Sequence, residues 1–369
     1  MSTQSFRKAI SRRGVEPRIR FVHDGTNFED YVIKVSKVKR DADLTAGIAT
    51  VTLNNGTGLF NFWKATNTAL NESAQIQIYV SGAAADLFTL FSGTVQDVEY
   101  IGSRAIVRIK DHMADMLEKP LGTGRLAHLF SSKTWPVDEM VWRILIEASG
   151  AALDSTETDL NADINWNSFV NWRDNYLGIK NYGLKAKFTS QKIRWGLLKI
   201  AQLSHSYIYI DTDGRVAFAP PFGTGFSYDE TNSKPRDLSV KMGSQITRML
   251  ARHGYSISAD TWTGNTGYLV QGAAETQYSR FSYDEESRVI WHNTLASAQE
   301  DRSQTIIDLA FPVRMFKIVT NLAGMTEEIA NQITVNDTLK SITNATPIVE
   351  EVLTDMESRT VVLKARWSW

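Results

Sequence analysis

Six histidines, His23, His112, His128, His205, His253 and His292, are the first residues to weigh for metal or acid–base chemistry. None forms an HExxH pair or another close two-histidine spacing, the arrangement that sets two imidazoles on one face to hold a metal. Each reads as a surface histidine or one satisfied inside a core. The chain has no cysteine. Disulfides, thiolate zinc sites, iron–sulfur clusters and thiol nucleophiles are therefore absent together. No GxGxxG, GxxxxGK[ST] or GxSxG stretch occurs, so the phosphate-cradling and nucleophile-elbow signatures are missing. Asp211-Thr212-Asp213-Gly214 matches the start of a calcium loop, but the later ligands ending in a bidentate Glu do not follow. A hairpin turn accounts for it, because Asp-Gly supplies the positive φ that a tight turn needs.

Glycoside hydrolysis needs two carboxylates across a bond, and Glu99 with Asp111, or Asp284 with Glu286, are such pairs on paper. A chain with 41 acidic residues always offers them. Ten tryptophans raise a carbohydrate-binding reading, since indole faces stack on sugars. Trp166, Trp172 and Trp195 fall in the middle region. Trp142, Trp291 and Trp367 lie in helix or strand contexts and read as core or interface residues. The sequence thus assigns no catalytic, cofactor-binding or metal-binding residue, and no cofactor.

The elements around these residues are mostly strands. Arg18–His23, Tyr31–Val38, Ile48–Leu53, Gln75–Val80, Leu90–Tyr100 and Arg104–Lys110 alternate apolar and polar residues, as half-buried strands do. Turn signals at Asp24-Gly25, Asn54-Asn55-Gly56 and Ile101-Gly102-Ser103 separate them. Leu59–Trp63 suggests one or two helical turns. Asp111–Leu117 reads as a short helix and Pro136–Gly150 as a longer one, with Pro near its start and Gly at its end. Residues 155–185, rich in Asn, Asp and Trp, read as irregular. Gln191–His205 is a helix with Ile193, Leu197, Ile200 and Ala201 along one stripe. Tyr207–Ile210 and Arg215–Phe218 flank the Asp-Gly turn, and 220–225 reads as a linker. Ile246–Ile257 is a strand, 259–285 a polar loop or excursion, and Ala296–Ala310 a helix with Ala298, Ile306, Ile307 and Ala310 as its apolar positions. Met315–Thr320, Ile333–Val335, Ile348–Leu353 and Thr360–Trp367 close the chain as strands.

Length, 369 residues, suits two or three domains, and 43% hydrophobic with 22% charged residues allows cores of ordinary size. A net charge of -1 excludes a polyanion binder driven by bulk electrostatics. Met1–Arg20 carries Arg7, Lys8, Arg12, Arg13, Arg18 and Arg20 without an apolar stretch, so it does not read as a signal peptide. It reads equally as an arm for an acidic surface or as a solvated terminus. No apolar run is long enough to span a bilayer.

One internal echo stands out. Val95 and Val98 precede Ser103-Arg104-Ala105-Ile106-Val107, and Val349 and Val352 precede Ser358-Arg359-Thr360-Val361-Val362. The valine spacing matches and the turns differ by about one residue. Either the chain uses one module twice, or two unrelated hairpins coincide.

Ile193–Leu203 followed by Tyr207–Phe218 resembles a helix-then-hairpin element of the bacteriophage tail and baseplate hub family, which includes the hub part of type VI secretion spikes. Ala49-Thr-Val-Thr-Leu-Asn-Asn-Gly56 resembles the same family, as does the C-terminal order of helix, strand, short strand and final hairpin. The likeness covers residues 18 to 367.

The resemblance implies a β-rich α+β chain: two similar tube-like antiparallel β-barrel domains with an intervening α+β lobe. The expected segments are an N-terminal arm (1–17), a first tube-like domain (18–115), the lobe (116–236) and a second tube-like domain (237–369) with an excursion near 259–295. It implies a structural, non-enzymatic role as a homotrimer whose similar modules make a pseudo-sixfold ring. The tail tube or distal tail protein would lie above the ring, and a spike, fibre or tip protein below. DNA would pass through the channel without specific binding. The expected location is the virion's tail tip or baseplate, assembled in the host cytoplasm. A carbohydrate- or receptor-binding tail module, and then a cell-wall hydrolase, are the alternatives.

Overall fold

The computed structural model describes residues 3–10, 16–45, 47–61, 63, 70–80, 87–121, 130–150, 160, 163–177, 182–220, 223–229, 237–242, 246–270, 282–285, 288–310 and 313–367. Helix α1 (Thr3–Ile10) precedes strands β1 (Pro17–His23), β2 (Thr26–Asn27), β3 (Val32–Val35), β4 (Val38–Asp41), β5 (Ile48–Asn54), β6 (Ser73–Val80), β7 (Phe88–Ile101) and β8 (Arg104–Asp111). All but β4 form one sheet, in the order β2-β1-β6-β7-β8-β5-β3. Period-two alternation builds it: in β5, Ala49, Val51 and Leu53 are fully buried while Ile48 and Asn54 face out. Gly102, at φ 58°, makes the two-residue turn between β7 and β8.

The middle of the chain contributes α2 (Ala114–Leu117), β9 (Trp135–Pro136), α3 (Val137–Ser149), α4 (Trp166–Asn175), β10 (Gly183–Ala186), α5 (Ile193–Leu203), β11 (Tyr207–Ile210) and β12 (Val216–Ala219). Gly150 ends α3 in the left-handed conformation that spares a side chain its clash. Beyond lie β13 (Gly223–Tyr228), β14 (Asp237–Met242), β15 (Arg248–Ser256), β16 (Thr261–Asn265), β17 (Leu269–Val270), β18 (Ser282–Glu285), β19 (Ile290–His292) and α6 (Leu295–Leu309). The last strands are β20 (Arg314–Thr320), β21 (Asn331–Asp337), β22 (Ile342–Ala345), β23 (Ile348–Asp355) and β24 (Thr360–Trp367). A lobe sheet runs β16-β15-β19-β10-β9, with β17 and β18 also on β15. The C-terminal sheet runs β13-β21-β23-β24-β20-β14, with β22 on β21 and β4 on β23.

The first and C-terminal sheets share a connectivity. If β1, β3, β5, β6, β7, β8 and β13, β14, β20, β21, β23, β24 are each ranked by chain order, both sheets run 1-4-5-6-3-2. One pairing differs: β1 meets β6 antiparallel, whereas β13 meets β21 in parallel. The correspondence reaches single residues. The register breaks between Val95 and Asp97 on β7, and between Val349 and Glu351 on β23. Asp97 then faces Arg108 and Glu351 faces Lys364, as ion pairs at 3.5 and 3.0 Å. Asn71 (φ 65°) donates its N–H to the Val95 carbonyl, and Ala330 (φ 70°) donates to the Val349 carbonyl, each at 2.8 Å. Asn54 and Asn321 each accept from the N–H two residues on, at 3.0 and 2.9 Å. The turns hold two residues (Gly102–Ser103) and four (Met356–Arg359), so they differ by two rather than one.

Buried side chains of both sheets belong to one contiguous core, which includes Phe21, Phe60, Leu90, Phe316, Val349 and Leu363. A second core under the lobe is built on Phe130, Leu145, Trp172, Leu197 and Phe218.

The structure departs from the sequence reading in several places. Tyr31–Val38 is not one strand: β3 stays in the first sheet, and β4 crosses to β23. Residues 155–185 contain α4 and β10, because Asn165 caps α4 by accepting the Ser168 N–H and Phe169 and Trp172 bury its inner face. Gly223–Tyr228 is a strand, not a linker, and a Cβ at Gly225 would sit 2.5 Å from Ile333 Cγ2. The polar stretch 259–285 carries β16, β17 and β18. On α6, Ala298 and Ile306 are buried as expected, whereas Ile307 faces out.

Candidate assembly interface

The structure disperses most of the chemically suggestive residues. Asp111 pairs with Gly93 near the middle of β7, while Glu99 pairs with Ile106 near its end. Six residues along a strand separate them by about 20 Å, too far to straddle one glycosidic bond. The Asp284 and Glu286 side chains, and His128, lie outside the described residues. The Asp211–Gly214 stretch is a hairpin turn: Asp211 Oδ1 accepts the N–H groups of Asp213 and Arg215, both at 2.9 Å. The Arg215 guanidinium spans Asp211 and Asp213, which occupies the carboxylates a calcium ion would need. Among the described residues no group of three or more His, Asp or Glu is arranged to hold a metal.

The tryptophans divide by burial. Trp172 is fully buried, stacks on Phe218 and donates its indole N–H to Ser206 Oγ at 2.9 Å. Trp166 is half-buried against Phe169 and Trp142. Trp291 is buried against Tyr255, and Trp367 packs on Phe316. Trp195 is exposed, on a cavity of about 480 Å³ shared with Glu118, Lys192, Arg194 and Leu198.

Of the remaining histidines, His23 is buried beside Trp63, and His112 Nε2 meets Asp163 at 3.0 Å. His253 lies opposite His292 where β15 meets β19. His205 and His292, far apart in sequence, meet on one carboxylate. His205 Nε2 lies 2.9 Å from Asp301 Oδ1 and its Nδ1 lies 3.2 Å from Asp308. His292 Nε2 lies 3.2 Å from Asp301 Oδ2, and its Nδ1 lies 2.7 Å from Ser297 Oγ. Burial disfavours charge on His205, but the hydrogen bonds to Asp301 and Asp308 outweigh it and raise the ring to about 9. Burial likewise opposes the Asp301 charge, and the two imidazoles still hold it down to about 2. The contacts imitate a serine–histidine–aspartate triad, but Ser297 is fully buried and its Oγ also accepts the Gly183 N–H. The hydroxyl therefore fastens α6 to β10 and β19. Sequence spacing carries no sign of this cluster, since His205 and Asp301 are 96 residues apart.

A second polar network joins the two sheets. β4 continues the chain from edge strand β3 and pairs antiparallel with β23, Val38↔Thr354 through Asp41↔Glu351. Arg40, almost buried, donates Nη2 to the carbonyls of Met325 (2.6 Å) and Glu327 (3.0 Å). Lys39 reaches Glu351 at 3.4 Å. From α1, Arg7 meets the buried Glu327 carboxylate at 2.9 Å, where Tyr228 also donates at 2.6 Å. The basic N-terminal stretch thus packs part of its charge on the chain's own acid. Burial pushes Glu327 above the usual carboxylate range against the pull of Arg7. Arg366, Glu350 and Tyr207 tie the β11–β12 hairpin to the C-terminal sheet, with Arg366 to Glu350 at 2.9 Å. Charges are spent here on holding strands from different parts of the chain together.

No family model and no curated protein matches the sequence. Solved structures do match over nearly the whole chain. The 43 kDa tail protein of prophage MuSo2 from Shewanella oneidensis aligns with a TM-score of 0.54 at 14% identity, covering 95% of this chain and 98% of that one. A tail protein from Neisseria meningitidis MC58 aligns at 0.56 and 12% identity, covering 96% of each. Prophage tail protein gp18 from Listeria monocytogenes EGD-e aligns at 0.55 and 7% identity, covering 95% and 94%. The chain has the fold of bacteriophage tail proteins, the family its sequence resembles.

Proposed function

We propose that the chain is the structural hub of a bacteriophage tail tip or baseplate. Three copies close into a ring of six similar modules, which joins the sixfold tail tube or distal tail protein to a spike, fibre or tip protein. One observation carries this reading: the two sheets share a strand order, a bulge and an ion pair at matching places. The first module is the sheet of β1–β3 and β5–β8, and the second is the sheet of β20–β24 with β14, to which β13 reaches in from the lobe segment. A module used twice lets a threefold protein present sixfold contacts, and a closed heterologous ring protects strand edges from wrong partners. The tail fold shared with the prophage proteins supports a place in the virion tail, assembled in the host cytoplasm. With a net charge of -1 the chain supplies no bulk attraction for DNA, as a bore that passes DNA without gripping it requires. The role needs no catalytic residue and no cofactor.

Mass measurement in solution, followed by electron microscopy, tests the ring. A trimer with threefold projections is expected. A chain that stays monomeric at every concentration sinks the reading. The exposed Trp195 beside its cavity favours a receptor-binding role of the lobe as the second reading. Glycan-array binding lost on Trp195→Ala would support it.

A further inference from the structure

The cavity beside Trp195 has a chemistry more specific than one exposed ring. Helix α5 buries Ile193, Leu197 and Ile200 in the lobe core. That turns Trp195 and Leu198, three residues apart, to the outward side. The indole is 39% exposed, and a helix needs no indole on its wet face. Trp195 and Leu198 give the cavity its apolar strip. Its volume of about 480 Å³ suits a small ligand, for which sites run to about 300–1,000 Å³. Polar side chains supply the rest of the wall, chief among them Glu118, Gln191, Lys192 and Arg194.

Two cations there face one carboxylate. Lys192 pairs with Glu118, and its hydrogen bond holds Glu118 below the usual carboxylate range. Arg194 is fixed from another side: Nε donates to the Asp43 carbonyl at 3.0 Å and Nη2 to Thr45 Oγ1 at 3.2 Å. Its Nη1 stands 3.9 Å from Glu118, beyond hydrogen-bond reach. The guanidinium is thus held in place with donors to spare. A ligand carboxylate meets it without the entropic cost of ordering a long side chain. α5 begins with no side-chain cap and no acidic residue in its first turn, which adds positive potential of the same sign.

The wall offers side chains rather than backbone. The carbonyls of Gln191 and Lys192 already accept from Leu121 and Gly196, at 2.7 and 3.1 Å, and the Ile193 N–H donates to Lys119 at 3.0 Å. A peptide adding there as a strand would have to displace these bonds. A flat indole flanked by hydrogen-bonding side chains instead matches a sugar, whose C–H face stacks while its hydroxyls take donors and acceptors together.

We propose that this cavity binds a saccharide unit bearing a carboxylate, with the Trp195 indole stacked on the sugar ring and Arg194 on the carboxylate. The inference rests on the receptor-binding reading of the lobe and names its ligand. The hub reading does not depend on it.

The test applies the full chain to an array of bacterial surface saccharides. Each carboxylate-bearing glycan is printed beside its carboxyl-reduced, neutral form, and an oligoglutamate peptide serves as the rival anion. Wild type, Trp195→Ala, Trp195→Phe and Arg194→Gln are compared, with circular dichroism confirming that each is folded. The wild type is expected to bind a carboxylate-bearing glycan and to bind its reduced form at least about tenfold more weakly, the loss of one charge-assisted contact. Trp195→Ala is expected to lose binding and Trp195→Phe to keep part of it. Arg194→Gln is expected to bind the two forms about equally. Equal binding of both forms by the wild type, lost in Trp195→Ala, overturns the inference and leaves a receptor-binding lobe. Discrimination that survives Arg194→Gln, binding that survives Trp195→Ala, or binding of oligoglutamate alone also overturns it. A wild type that binds no printed glycan overturns the inference and the receptor-binding reading together.

Discussion

Asp301 holds two imidazoles inside the joint between α6 and the lobe, so its substitution tests what that joint contributes. Asp301→Asn leaves the His205 charge buried with Asp308 alone, and loss of one partner of a buried ion pair costs about 3–5 kcal/mol. Urea denaturation at pH 6 is the measurement, and a loss below 1 kcal/mol would refute the assignment. The pH dependence has a definite sign. His205 is raised in the folded chain to about 9, so its contribution is complete below its unfolded value near 6.5 and disappears as pH rises through 9. Asp301 contributes above 3.8 and loses its contribution only as pH falls through about 2. Asp111 works in the other direction for an acid. Burial raises it to about 7, so its folded carboxyl favours low pH and the benefit disappears between 3.8 and 7. Asp111→Asn keeps an acceptor for the Gly47 N–H and removes the ionisation. Its stability relative to wild type is expected to rise from pH 5 to pH 8; an unchanged difference between those two pH values would contradict the assignment.

At the scale of elements, α4 shows what the sequence conceals. Trp-Asn-Ser-Phe-Val-Asn-Trp-Arg-Asp-Asn has poor helix formers on its outer face, so composition reads as irregular. Its inner face is short, Phe169 and Trp172, yet Phe169 meets Phe218 of β12 edge-on at 5.1 Å and Trp172 stacks on the same ring at 5.0 Å. Tertiary packing outweighs propensity there. Trp172→Ala is expected to cost about 3–5 kcal/mol, seen as loss of the near-ultraviolet signal and a lowered melting temperature. Retained stability with lost glycan binding would instead make Trp172 a ligand residue. Strands with one wet face were legible, since Ala49, Val51 and Leu53 alternate cleanly with polar neighbours. The break between β3 and β4 was not, because Tyr31–Val38 alternates through it. Only the pairing partners, β5 for one half and β23 for the other, reveal two strands. The polar clusters were illegible for a related reason: His205 with Asp301, and Arg40 with Glu327, join residues whose neighbours in sequence give no hint of each other.

For the whole molecule, the two sheets could in principle move independently, as modules with separate cores do. Here their buried side chains form one cluster, and β4 passes from the edge of one sheet into the ladder of the other. Arg40 is the fastening, because its guanidinium satisfies two buried carbonyls, those of Met325 and Glu327. An unsatisfied buried acceptor costs about 1–3 kcal/mol. Arg40→Ala therefore removes more than a charge: it leaves both carbonyls without this donor and loosens β4 on β23. In the wild type the two sheets are expected to melt in one calorimetric transition. In Arg40→Ala that transition should fall in temperature and broaden, with the van't Hoff enthalpy dropping below the calorimetric one. An unchanged, single transition would show that the shared apolar core couples the sheets without help from β4. The distinction bears on the ring as well. A chain whose two modules are locked together transmits a fixed angle from one to the next, and a closed ring needs that angle to repeat.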